Sequence, residues 1–238
     1  MTQKAVLITG AARRIGRAIA LEFAGAGYDV ALHYYRSEKE AKAAQQAIEK
    51  LGRCCVLLRQ DLSQLEAVPA LVKAARKALP HLNALVNNAS TFQRVSFAET
   101  TPEILQGEFT RNFAQAFFLT QAFAAQVKKG AVVNLLDVAM LTNRSTHVPY
   151  LLSKKLLHEF TLMAAKDLAP KIRVNAVCPG FILPTEGAPS RDPKDYAAAI
   201  PAQKKPTPQD VAHAAVLLAE NPSLLGQILY VDGGERLK

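Results

Sequence analysis

Cysteine is scarce: there are three in 238 residues, Cys54 and Cys55 adjacent and Cys178 alone. That set gives neither a disulfide framework nor a metal-ligand spacing, so the thiols read as buried side chains. The five histidines, His33, His81, His147, His158 and His213, show no paired spacing that would suggest zinc, and no metal is expected. Long apolar runs are missing too. No stretch has membrane length, and the apolar run ending at Thr9-Gly10 is too short for a signal segment, so the expectation is a cytoplasmic protein without membrane partners. Neither a linker nor a low-complexity tract divides the chain, which implies one domain over residues 1–238. Acid is the scarcer charge, 20 residues against 29 basic ones, for a net charge of +9. The basic residues, Lys73, Arg76, Lys77, Lys128, Lys129, Lys204 and Lys205 among them, form no stripe interleaved with aromatics, so no nucleic-acid partner is expected. Such a field would instead steer a phosphate-rich cofactor or an anionic substrate.

What is present starts at Lys4 to Gly16: a short apolar run, a small-residue turn, then a helix opening. A run of that length reads as a strand buried on both faces, as in a parallel sheet. The helix expected over Arg14 to Ala26 would aim unpaired N–H groups and its positive dipole end over Gly10 to Gly16, where glycine lets a phosphate approach. The turn departs from the commonest dinucleotide fingerprint, with Ala12 and Arg14 where further glycines often stand.

Strands and helices then alternate. Strands are expected at Tyr28–Tyr34, Arg53–Arg59, Ala84–Asn87, Ala131–Leu136, Ile172–Val177 and Gln227–Val231. Ser37-Glu38-Lys39-Glu40 and Ser63-Gln64-Leu65-Glu66 read as capping boxes opening helices to about Leu51 and Leu79. Thr101-Pro102 opens a long helix to about Val127, Tyr150 to Leu168 forms another, and Thr207-Pro208 caps a last one. Strands joined by crossover helices give a doubly wound α/β parallel sheet, three-layered and Rossmann-like. Its ligands bind beyond the carboxyl ends of the strands.

The second strand selects the nucleotide. An NAD site carries an acid about 20 residues past the glycine turn, whereas Arg accommodates a 2′-phosphate. Here the sequence is His33-Tyr34-Tyr35-Arg36-Ser37 without an acid, and Arg36 with Arg14 could clamp that phosphate, which favours NADPH. Tyr150 and Lys154, four apart, share a helical face, and a nearby ammonium is expected to lower the Tyr pKa towards that of a useful proton donor.

Thr9-Gly10 to Gly16, Asp61-Leu62, Asn87-Asn88-Ala89, Asn112, Tyr150-Leu-Leu-Ser-Lys154, Pro179-Gly180 and Asp232-Gly233-Gly234 together resemble the short-chain dehydrogenase/reductase family over essentially the whole chain. The resemblance implies that Tyr150 donates the proton, Lys154 holds the nicotinamide ribose and Asn112 supports a water and proton relay. Cofactor contacts implied are Gly10, Arg13, Arg14, Ile15 and Gly16, then His33, Tyr34, Tyr35, Arg36 and Ser37, then Asp61, Leu62, Asn88, Ala89, Ser90, Pro179 and Gly180. The family also implies a homotetramer built on helices Phe109 to Val127 and Tyr150 to Leu168.

Position 137 departs from the common pattern. Most members carry a Ser about 13 residues before the Tyr to polarise a carbonyl, whereas the carboxylate of Asp137 accepts hydrogen bonds. It suits a substrate with N–H groups, or a cyclic C=N bond whose nitrogen must be protonated. Asp137 with Arg14, His33 to Ser37, Asp61-Leu62-Ser63 and Asn87 to Phe92 resembles the pteridine reductases, which implies a pterin stacked on Phe92 with Ser90 near pterin and cofactor. The segment 181–206 would cover the substrate. Two other readings stay open: a reductase of ketones or 3-oxoacyl carbonyls, and a non-catalytic NADP(H) sensor.

Overall fold

The computed structural model describes residues 3–142, 146–184 and 192–238. Its strands are β1 (Lys4–Ile8), β2 (Tyr28–Tyr34), β3 (Cys55–Arg59), β4 (Leu82–Asn87), β5 (Gly130–Leu135), β6 (Ile172–Pro179) and β7 (Ile228–Val231). The helices are α1 (Arg14–Gly25), α2 (Glu38–Lys50), α3 (Val68–Ala78), α4 (Pro102–Phe109), α5 (Gln115–Gln126), α6 (Val148–Leu168), α7 (Pro193–Ala199) and α8 (Pro208–Glu220). All seven strands pair in parallel in the order β3-β2-β1-β4-β5-β6-β7. Chain direction across the sheet reverses between β1 and β4, and that switch point is where a crevice opens above the strand ends.

Both faces of the sheet are covered. Along β1, Val6 and Ile8 join a core with Phe23 of α1, Ile48 of α2 and Val211 of α8, while Ala5 and Leu7 join one with Val72 of α3, Phe123 of α5 and Ala164 of α6. Alternate side chains of one strand thus enter opposite layers, which requires the continuously apolar strands that the sequence carries.

Two expected capping boxes do not form. Ser37 precedes α2 without a side-chain cap, and the Ser63 hydroxyl donates instead to Asp61 at 2.8 Å. Helix α3 waits until Val68 because Pro69, having no N–H, fits a first turn and would break a helix begun at Leu65. Thr207 caps α8 as expected, and it forms a capping box with Asp210. The long helix expected after Thr101 is interrupted by a π turn at Thr110–Ala114, and α7 was not expected from sequence.

Candidate active site

A cleft of about 870 Å³ lies over the carboxyl ends of the strands at the switch point. Gly10 bends there with φ +63°, and a Cβ on Gly16 would stand 2.2 Å from the Gly10 carbonyl oxygen, so the turn closes on α1 only with glycine at that position. Asn88 fastens the turn to the end of β4. Its Nδ2 donates to the carbonyls of Thr9 (2.8 Å) and Gly10 (3.1 Å), and the Thr9 hydroxyl accepts from the amides of Asn88 and Ala89.

Arg13, Arg14, Ile15, Tyr35, Arg36, Ser37, Asp61 and Leu62 line this end of the cleft. The Arg36 guanidinium lies 5.0 Å from the Tyr35 ring centroid, and Arg14 donates to the Pro184 carbonyl at 2.7 Å. Amide and hydroxyl bonds from Ser63 hold the Asp61 carboxyl below its usual range. Tyr34 does not reach the cleft. Side chains alternate along β2, so Tyr34 packs into the core with Val30 and Leu32 and is not placed to touch a nucleotide.

His33 is 3% exposed beneath the glycine turn, its Nδ1 accepting from the Gly10 amide (3.1 Å) and its Nε2 donating to the Gln60 carbonyl (3.0 Å). Burial pushes its pKa down to about 4, so the ring is neutral and acts as a strut. Because the folded value lies below the unfolded one of about 6.5, this stability is present above pH 6.5 and is lost as pH falls towards 4. At 1.36 kcal/mol per unit the full loss is about 3 kcal/mol. Thermal melts of His33→Gln between pH 7 and 4 should therefore show a shallower acid decline than wild type; equal declines would remove His33 as the cause.

At the other end, Asp137 follows β5 and Tyr150 rises from the first turn of α6. The Tyr150 hydroxyl donates to Asp137 Oδ2 at 2.7 Å, and Oδ1 accepts from the Ala139 amide at 2.8 Å. Burial pushes the Asp137 carboxyl above the usual carboxylate range, and burial with the adjacent carboxylate pushes the Tyr150 phenol well up. The expected lowering of Tyr150 by Lys154 is thus overturned. The Lys154 ammonium donates to the Leu135 carbonyl at 2.8 Å and stands 5.8 Å from the phenol ring centroid, while Asp137 touches the hydroxyl itself. Burial lowers Lys154 to about 8, so it exchanges protons near neutral pH.

Ser90, Phe92, Ala89, Pro179 and Gly180 also line the cleft. Phe92 is 43% exposed, meets Tyr150 edge-on at 4.8 Å and stacks on His147 at 4.2 Å. Asn112 is buried behind this wall, not on it. Its side chain accepts from the Ser90 hydroxyl and the Thr91 amide and donates to Glu108. Sequence reading also missed Glu235, which accepts from the Tyr196 hydroxyl at 2.5 Å and lines the cleft; only the fold brings the chain end there. Of the segment 181–206, residues 185–191 lie outside the described residues. Among the described residues, no group of three or more His, Cys, Asp or Glu could hold a metal, and no helix is long and apolar enough to cross a membrane.

A family model described as Enoyl-(Acyl carrier protein) reductase matches residues 10–235. General stress protein 39 of Bacillus subtilis is 32% identical over 97% of this chain and 84% of its own. The 3-oxoacyl-[acyl-carrier-protein] reductase FabG of Staphylococcus aureus is 29% identical, covering 97% of each chain. Among solved structures, FolM alternative dihydrofolate reductase 1 from Brucella suis, crystallised with NADP, superposes with a TM-score of 0.93. It is 32% identical, with 98% of this chain and 95% of that one covered.

Proposed function

The chain belongs to the short-chain dehydrogenase/reductase family of oxidoreductases, and from that premise we propose that it is an NADPH-dependent reductase of pteridines, taking a dihydropterin or dihydrofolate to the tetrahydro form. One observation carries the substrate reading: a carboxylate, Asp137, accepts the Tyr150 hydroxyl at 2.7 Å where a hydroxyl donor would serve a ketone. The likeness to the Brucella suis reductase supports it.

The residues present fit a dinucleotide phosphate. Gly10 at positive φ, the start of α1, and Arg14 and Arg36 in place of an acid would hold its phosphates. NADPH, when bound, supplies the hydride. Tyr150, kept protonated by burial and by Asp137, holds the proton for the ring nitrogen, and Lys154 would hold the nicotinamide ribose. Phe92 offers a flat pterin its exposed face, and Phe181, Ile182 and Leu183 line the same cleft.

The relative from Staphylococcus aureus favours a second reading, reduction of 3-oxoacyl carbonyls. NADPH oxidation measured in parallel with dihydrobiopterin, dihydromonapterin, dihydrofolate and simple ketones separates the two: pteridine reduction predicts turnover on the first three, and turnover on ketones alone rejects it. Binding of NADPH without oxidation of any of them would support a sensor. The exposed apolar side chains Phe117, Leu152, Leu156 and Met163 on α5 and α6 support burial of these helices against another copy, as in the homotetramer that the family resemblance implies. Sedimentation of a stable monomer at micromolar concentration would contradict that assembly.

A further inference from the structure

Glu108, at the end of α4, is 1% exposed, and the chemistry proposed above makes no use of it. Its Oε1 accepts from the Thr91 hydroxyl (2.9 Å) and from Arg111 Nη2 (3.1 Å), and its Oε2 accepts from Asn112 Nδ2 (2.9 Å). With that amide nitrogen committed, Asn112 turns its Oδ1 to the loop after β4, where it accepts from the Thr91 amide (2.9 Å) and the Ser90 hydroxyl (2.6 Å). Arg111 closes the ring, its Nε donating to the Thr91 hydroxyl at 3.2 Å. Gly107 leaves room for it, since a Cβ there would stand 2.9 Å from both guanidinium Nη atoms. The π turn at Thr110–Ala114 carries both Arg111 and Asn112, and such turns recur at functional sites.

A buried carboxylate is expensive to desolvate, and an apolar residue at this helical position would pack more cheaply. What the carboxylate adds is orientation. We propose that Glu108 is a positioning residue, which through Asn112 and Thr91 fixes the backbone of Ser90 to Phe92 and so holds the aromatic platform against which the substrate stacks. The proposal rests on the pteridine reading for the identity of that substrate.

Glu108→Gln tests it. Glutamine has one acceptor oxygen for three donors, and its amide N–H groups face other donors. The expected result is a loss of about 10²-fold in kcat/KM for a dihydropterin, carried mainly by KM because Asp137, Tyr150 and Lys154 are untouched. Because Glu108 acts through Phe92, adding Phe92→Ala should raise KM little beyond Phe92→Ala alone. A dihydropterin KM within about twofold of wild type, or losses that multiply with Phe92→Ala, would overturn the proposal. Should Glu108→Gln fail to fold, Thr91→Val removes the hydroxyl shared by Glu108 and Arg111 and reads the same KM. If wild type reduces no dihydropterin, the substrate reading fails instead, and the KM comparison is made on whichever carbonyl compound it reduces.

Discussion

Tyr150→Phe and Asp137→Ala should each lower turnover on a dihydropterin by about 10²–10⁴-fold, the range of general acid–base catalysis. The phenylalanine ring keeps the packing of a 5% exposed side chain and removes only the hydroxyl that donates to Asp137 at 2.7 Å. Alanine at 137 removes that acceptor and also the cap on the Ala139 amide. Burial is the main reason the Tyr150 phenol is held high and the carboxylate adds to it, so loss of Asp137 lowers the phenol only in part and moves the alkaline limb of kcat/KM downward. Since both groups serve one proton path, the double variant should lose far less than the product of the single losses. Steady-state kinetics of the four proteins from pH 6 to 10 decide it, and fully multiplicative losses would show that the groups act separately.

Arg36→Asp should weaken NADPH by about 10²-fold while changing NADH little. A charge-assisted hydrogen bond is worth about 1.5–3 kcal/mol, and an acid at the same place repels a 2′-phosphate while accepting from a 2′-hydroxyl. Arg14 also lines the cleft, held at the Pro184 carbonyl, so some NADPH preference should persist until it is also replaced. Fluorescence titration with both nucleotides measures the change. A wild type that used NADH as well as NADPH would refute this assignment of the second strand.

The sheet was legible because each strand is an apolar run closed by Gly, Pro or a polar residue, and the Tyr150-Lys154 spacing was legible because one helical turn aligns them. Other features required neighbours distant in sequence. Tyr34 and Tyr35 look alike in the chain, yet β2 sends one to the core and the other to the cleft. Periodicity over 101–127 hides the π turn, because one extra residue does not alter an apolar pattern already rich in phenylalanine. The phenol of Tyr150 was misjudged because Lys154 is near in sequence while Asp137, 13 residues away, is nearer in space. Glu108 looks like a solvated helix charge until Thr91 folds over it.

The role of the carboxylate at 137 is tested most directly by comparing wild type with Asp137→Ser, each assayed with NADPH on a dihydropterin and on a simple ketone. Pteridine reduction through Asp137 predicts that wild type prefers the dihydropterin and that the serine variant loses about 10²-fold or more on it while its ketone rate holds or rises. A serine variant that reduces the dihydropterin as fast as wild type would contradict a chemical role for Asp137.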